Sequence, residues 1–249
     1  MDGGAAKRIA ALCVAPPVTR VLEIGPGTGA LTTALVMQGA DVTAVEVDPD
    51  MVTILRERSE LDAATIVEAD ALAFDYAAYA RDAPWCAAGN LPYNIATPLL
   101  TTWLELPAPP ARIVVMVQRE VADRLVALPS SPAYGSLTVF CRYFAAVRRA
   151  FVLGPSVFYP RPNVDSAVVV LEPHPTPIVT VRDRPFFLQV VRGAFAYRRK
   201  TLANSLLLAL AIDRARTQTA LATLDIDSEI RAEQLDLGAF GALADALAP

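Results

Sequence analysis

The run Val-Leu-Glu-Ile-Gly-Pro-Gly-Thr-Gly-Ala-Leu at residues 21–31 constrains this chain more than any other stretch. Arg20 to Ile24 reads as a buried strand, and Thr28 to Gln38, closed by Gly39, reads as a helix. Between them Gly25, Gly27 and Gly29 permit positive φ and let a ligand approach the backbone closely. A strand, a glycine turn and a helix open an α/β sheet, and the alternation continues along the chain. Strands are expected at Val42–Glu46, Thr65–Glu68, Trp85–Gly89 and Ile113–Val117. Helices are expected at Gly3–Val14, Pro49–Arg58, Ile95–Leu104 and Arg119–Ala127. The fold class this predicts is α/β, a Rossmann-like parallel sheet wrapped on both faces.

After Pro129 the alternation stops. Pro155, Pro160 and Pro162 punctuate an extended stretch, and Ser166–Leu171 reads as a late strand. A Pro-rich connector, Pro173 to Pro177, then separates a sheet domain, 1–173, from a small helical C-terminal domain, 174–249. The helices expected there are Pro185–Phe195, Leu202–Ala211, Arg214–Leu224 and Ala239–Leu247. A chain of 249 residues can bury a core of that size. The longest apolar run near the C-terminus, Leu206 to Ile212, is too short to span a bilayer, and no signal peptide opens the sequence. A soluble cytoplasmic protein without membrane contact is expected.

Cys13, Cys86 and Cys141 are odd in number and widely spaced, which argues against a disulfide framework. His174 is the sole histidine and sits among prolines. No metal site and no histidine triad are expected. The net charge is −4, but it is unevenly spread. Residues 1–141 hold nine Lys/Arg and sixteen Asp/Glu, residues 142–200 ten and three, and residues 201–249 three and seven. A basic segment between acidic ones suits a localised phosphate contact, although a solvated face explains it equally well.

The glycine loop alone fits a dinucleotide site too, read as Gly-x-Gly-x-x-Ala ending at Ala30. Glu46 ends the next strand, where a carboxylate can accept both hydrogens of a ribose diol. NAD and S-adenosylmethionine both carry that ribose. Two details favour S-adenosylmethionine. Glu23 precedes the first glycine, as in Glu-x-Gly-x-Gly-x-Gly methyltransferase loops, and Asp70 follows the third strand, placed to bond the cofactor's adenine amine. Singly, either carboxylate could cap a helix; together, behind this loop, they point to the cofactor.

Asn90-Leu91-Pro92-Tyr93 follows the fourth strand, at the sheet edge where open α/β folds bind ligands. The amine of adenine is a poor nucleophile because its lone pair is delocalised into the ring. The side-chain oxygen of Asn90 and the carbonyl of Leu91 can accept its two hydrogens and aim the lone pair at a sulfonium methyl. Pro92 would fix the backbone and Tyr93 would stack on the base. The competing explanation, an ordinary turn, is weakened by the position of the motif behind the glycine loop.

With these residues the chain resembles the ribosomal RNA adenine dimethyltransferases, most closely the bacterial branch acting on 16S rRNA. The likeness rests on Leu22–Leu31, Val45–Asp48, Asp70–Leu72, Asn90–Pro98, Val115–Leu125, Phe158–Val168 and Phe195–Leu206, in order over nearly the whole chain. It implies that S-adenosyl-L-methionine is held by Glu23, Gly25, Gly27, Gly29, Glu46, Asp70, Ala71 and Asn90. It implies that Tyr93 and Phe158 sandwich the target adenine beside Asn90, Leu91 and Pro92. Arg148, Arg149, Arg161, Arg198, Arg199 and Lys200 would serve rRNA contact, against the alternative of a solvated face. The partner implied is 16S rRNA in the small (30S) ribosomal subunit, with the protein a monomer. Members of the family carry a Gln-Asn-Phe-Leu element before the first helix; here Met1-Asp2 begins where it would end. Two other readings stand beside this one: a 23S rRNA adenine methylase of the macrolide-resistance type, and an rRNA-binding assembly factor that no longer methylates. An NAD-dependent oxidoreductase rests on the glycine loop alone.

Overall fold

The computed structural model describes residues 1–81 and 84–248. In chain order its elements are α1 (Gly3–Cys13), β1 (Arg20–Ile24), α2 (Ala30–Met37), β2 (Asp41–Glu46), α3 (Pro49–Arg56), β3 (Thr65–Glu68) and α4 (Tyr76–Tyr79). There follow β4 (Trp85–Asn90), α5 (Tyr93–Glu105), β5 (Arg112–Gln118), α6 (Arg119–Val126), α7 (Ser136–Phe144), β6 (Ala145–Leu153) and β7 (Ser166–Pro173). The remainder is helical: α8 (Arg184–Phe195), α9 (Leu202–Leu210), α10 (Arg214–Thr223) and α11 (Leu237–Leu247).

The seven strands form one sheet in the order β3-β2-β1-β4-β5-β7-β6. The first five are parallel; β7 runs antiparallel to β5, and β6 antiparallel to β7. β4 and β5 lie inside the sheet and are buried through five consecutive positions, so they read as unbroken apolar runs. One face is covered by α1 and α2. Their Ile9, Leu31 and Leu35 share a core with alternate strand residues, Cys86 and Ala88, Val114 and Met116, Val168 and Val170. α5 packs against β5 and buries Leu99 and Trp103. Aspartates close the open amides of the helix starts: Asp2 for α1, Asp48 for α3, Asp183 for α8, Asp213 for α10 and Asp236 for α11.

Two elements, α7 and β6, fall after Pro129, where the sequence announced neither. β6 is one of the two edge strands, and a register shift between Arg149 and Phe151 breaks its alternation. By packing, the chain falls into two compact units. One is Met1–Ala122 with Ala145–Pro173; the other is Asp123–Phe144 with His174–Pro249. Among the described residues no helix is long and apolar enough to cross a membrane. The three cysteines are free and buried.

Candidate active site

The order of the sheet reverses between β1 and β4, the switch point where open α/β sheets place their ligands. A cleft of about 490 Å³ opens there, beyond the carboxyl ends of β1, β4 and β5. Glu23, Gly25, Gly27, Asn90, Gln118 and Phe158 are among its lining residues. That size is typical of a pocket for a small organic ligand.

The glycine loop takes its shape from left-handed backbone. φ is +66° at Gly25, +55° at Gly27 and +83° at Gly29. The Gly25 amide donates to the Val45 carbonyl (3.0 Å), and Gly29, the cap of α2, donates to Pro26 (2.9 Å). A Cβ on Gly29 would stand 2.9 Å from Leu55 and Leu61, whereas one on Gly27 would meet nothing within 4 Å. Gly29 is therefore a packing glycine and Gly27 a glycine facing open space. Gly89, paired with Ile24, is tighter still: a Cβ there would lie 2.4 Å from the Ile24 carbonyl oxygen.

The two carboxylates at this edge differ. Glu46 is buried and satisfied: Oε1 accepts from the amides of Val47 (2.9 Å) and Asp48 (3.1 Å), and Oε2 from Gly27 (3.1 Å). It shapes the loop, with acceptor capacity left on Oε2. Glu23 is equally buried, but its Oε2 has no hydrogen-bond partner. Burial pushes its carboxyl up from 4.5 to about 7. The nearby Glu46 charge raises it further, and the Thr32 hydroxyl, itself buried without a hydrogen-bond partner, does not relieve it.

Other expected residues are placed as follows. Asn90 is exposed at the end of β4, on the cleft, and the Leu91 amide donates to Met116 (2.9 Å). Pro92 caps α5, its carbonyl accepting from Ile95 (3.2 Å) and Ala96 (3.1 Å). The backbone of Tyr93 opens α5; its side chain lies outside the described residues. Phe158 is half-buried against the core under α1 and also borders the cleft. Gly29, Glu46, Asp70 and Ala71 lie outside the lining. Asp70 is exposed and accepts from the Leu72 amide (2.8 Å), and the Ala71 carbonyl accepts from the Tyr76 hydroxyl (2.6 Å).

Of the six basic residues, Arg148 and Arg149 stand exposed on β6 and Arg161 in the Pro-rich segment, all in the first unit. Arg198, Arg199 and Lys200 are exposed in the second unit, where Arg198 donates to the Pro132 carbonyl. Two residues not singled out from sequence also matter. Gln118 ends β5 on the cleft. Arg119 ties that strand end to Asp165 through a backbone bond (3.0 Å) and an ion pair (3.2 Å). Their position at a strand's carboxyl end was the available signal.

Sheet order, glycine loop and the turn after β4 define the class: the α/β architecture of S-adenosylmethionine-dependent methyltransferases. Within it, the chain belongs to the ribosomal RNA adenine dimethylase family, whose model matches residues 5–248. It is 44% identical over 252 residues to a ribosomal RNA small subunit methyltransferase A of Magnetococcus marinus, covering 100% of this chain and 89% of that one. Its fold is that of a dimethyladenosine transferase from Plasmodium falciparum, with TM-score 0.79, 23% identity and coverage of 97% and 94%. The 23S rRNA methyltransferase ErmE superposes with TM-score 0.74 at 25% identity, covering 99% and 98%.

Proposed function

We propose that this chain transfers methyl groups from S-adenosylmethionine to the N6 amines of two adjacent adenines near the 3′ end of 16S rRNA. It would act on the small (30S) subunit as a cytoplasmic monomer. The observation that carries this reading is that Asn90, Leu91 and Pro92 open onto the same cleft as the glycine loop. Family membership and the small-subunit methyltransferase of Magnetococcus marinus support the RNA substrate.

The residues present fit the cofactor. Backbone at Gly25 and Gly27 lies open to the cleft, and the unpartnered Oε2 of Glu23 awaits a donor or cation. Glu46 would use its remaining acceptor capacity on the ribose, and Asp70 with Ala71 would meet the adenine end. Bound there, S-adenosylmethionine supplies an electrophilic sulfonium methyl and leaves as a neutral thioether. Asn90 and the Leu91 carbonyl would accept the two N6 hydrogens and so localise the lone pair toward the methyl; the proton that the methylated amine loses would pass to solvent at the open cleft. Pro92 holds that backbone at the start of α5. Phe158, fixed against the core, would stack on the flipped adenine, with Tyr93 on its other face. Orientation and electrostatics carry the step rather than a strong base. In the same proposal, residues 1–173 hold catalysis and 174–249 contact rRNA; Arg198, Arg199 and Lys200 meet phosphates from the second segment, and Arg148, Arg149 and Arg161 add contacts from the first.

The test is methyl transfer from labelled S-adenosylmethionine to undermethylated small subunits, with Asn90→Ala as control. The expected product is N6,N6-dimethyladenosine at two adjacent positions, reduced by roughly 100- to 1,000-fold in the variant. Labelling of large subunits instead would favour the 23S reading. Binding to small subunits without labelling would favour the assembly-factor reading.

A further inference from the structure

Tyr159 is 96% exposed, the most exposed large apolar side chain among the described residues, yet it lines the same cleft as Asn90 and Phe158. Single exposed apolar residues are ordinary on protein surfaces. This one is not isolated. Pro160, Pro162 and Val164, the last 45% exposed, line the cleft with it, so one wall is apolar and open to water. The wall is held at both ends. The Asp2 amide donates to the Val157 carbonyl (2.7 Å) on one side, and Arg119 pairs with Asp165 (3.2 Å) on the other. Prolines at 155, 160 and 162 restrict the backbone between those anchors. The two neighbouring rings are thus presented differently: Phe158 is packed against the core and Tyr159 projects into solvent.

Taking one base out of a stack uncovers a face of the base beside it, and that lost stacking opposes the flip. An aromatic ring on a stiff segment next to the site offers a replacement, because every base has a π-face. We propose that Tyr159 is a stacking platform for the nucleobase adjacent to the one entering the cleft, and so a specificity-determining residue of the reaction. The inference rests on the RNA adenine reading above. The wall near Tyr159 is uncharged, which suits a base face better than a phosphate, while Arg161 stands exposed within the same segment for the backbone. On this arrangement a purine beside the target is preferred over a pyrimidine, since it offers more stacking area.

The experiment compares Tyr159→Ala, Tyr159→Phe and Tyr159→Trp with wild type in methyl transfer to undermethylated small subunits. S-adenosylhomocysteine affinity, measured by calorimetry, checks the cofactor site. Tyr159→Ala should lower kcat/KM roughly 5- to 150-fold, chiefly through KM, with unchanged cofactor affinity. Both aromatic variants should restore it. The native tryptophans, Trp85 and Trp103, are fully buried, so fluorescence of Tyr159→Trp reports its exposed ring. Adding an RNA hairpin with two adjacent adenines in its loop should quench that signal. Wild-type kcat/KM in Tyr159→Ala, failure of Tyr159→Phe to restore activity, or an unquenched signal with RNA bound would each overturn the proposal. If wild type transfers no methyl group to any RNA, the functional reading falls. The fluorescence of the tryptophan variant on binding then decides stacking by itself.

Discussion

Two walls face one cleft, and they are built by opposite means. On the glycine side, Gly25, Gly27 and Gly29 occupy left-handed backbone, and the loop is cross-braced by Glu46. On the proline side, Pro155, Pro160 and Pro162 withhold backbone freedom, and Asp2 and Arg119 pin the segment's ends. The first wall sets backbone amides and a carboxyl group on the cleft; the second sets aromatic rings and prolines there. Shape that comes from glycine depends on the absence of side chains, so single added carbons should break it. Shape that comes from proline depends on an entropic restriction, so its removal should be felt weakly.

The largest effect is expected at Gly89. A Cβ there would sit 2.4 Å from a backbone oxygen of β1, and the paired strands cannot part locally. Gly89→Ala should lower the unfolding free energy by about 3 kcal/mol or more, measured by denaturant titration. A loss below about 1 kcal/mol would mean the strand ends adjust freely. Gly27→Val comes next and separates shape from stability. Its φ of +55° disfavours a β-branched residue, and the new side chain would extend into open space. Affinity for S-adenosylhomocysteine should fall roughly 100-fold, equivalent to about 2.7 kcal/mol, with a smaller loss of stability. Unchanged affinity would remove Gly27 from the cofactor site.

Glu23 gives the glycine wall its pH dependence. Its folded value of about 7 exceeds the ordinary 4.5, so between those values the native state holds more of this proton than the unfolded state does. The stabilising contribution is therefore complete below pH 4.5 and is lost as pH rises through 7. Glu23→Gln keeps a neutral side chain and removes that slope. Relative to wild type it should gain stability between pH 5 and pH 8, by up to on the order of 3 kcal/mol. Parallel stability–pH curves would show that Glu23 titrates normally. A cationic group opposite Oε2 favours the ionised form. Cofactor binding near pH 6.5 should thus release protons in wild type, visible as a buffer-dependent enthalpy, and not in Glu23→Gln.

The glycine wall was legible in the sequence because positive φ and strand-end carboxylates demand particular residue types at fixed spacing. The same holds for Asn90-Leu91-Pro92, which stands where the sheet edge places ligands. The late strand and the four C-terminal helices were legible too, but the stretch between Pro129 and Pro155, which holds α7 and β6, was not. Ser136–Phe144 is rich in aromatic and β-branched residues, which favour strands locally, and burial of Val139, Phe140, Cys141 and Tyr143 makes it a helix. β6 lost the alternation that marks a strand at the register shift between Arg149 and Phe151. The excursion of Asp123–Phe144 into the second unit left no mark in linear order. The Arg119–Asp165 tie spans 46 positions, too far for any local pattern to announce it.

Pro162→Ala should have the smallest effect and tests the proline wall directly. If the wall works by restriction, the substitution enlarges the unfolded ensemble and costs about 0.4–1 kcal/mol of stability. Cofactor affinity should stay unchanged, because the glycine wall is untouched. The apparent KM for undermethylated small subunits should rise modestly, since Phe158 and Tyr159 would have to be ordered during binding instead of beforehand. Pro162→Gly should enlarge both changes, as glycine adds still more unfolded freedom. A stability loss with KM unchanged in both variants would show that the prolines serve folding alone. The anchors at Asp2 and Asp165 would then suffice to present the rings.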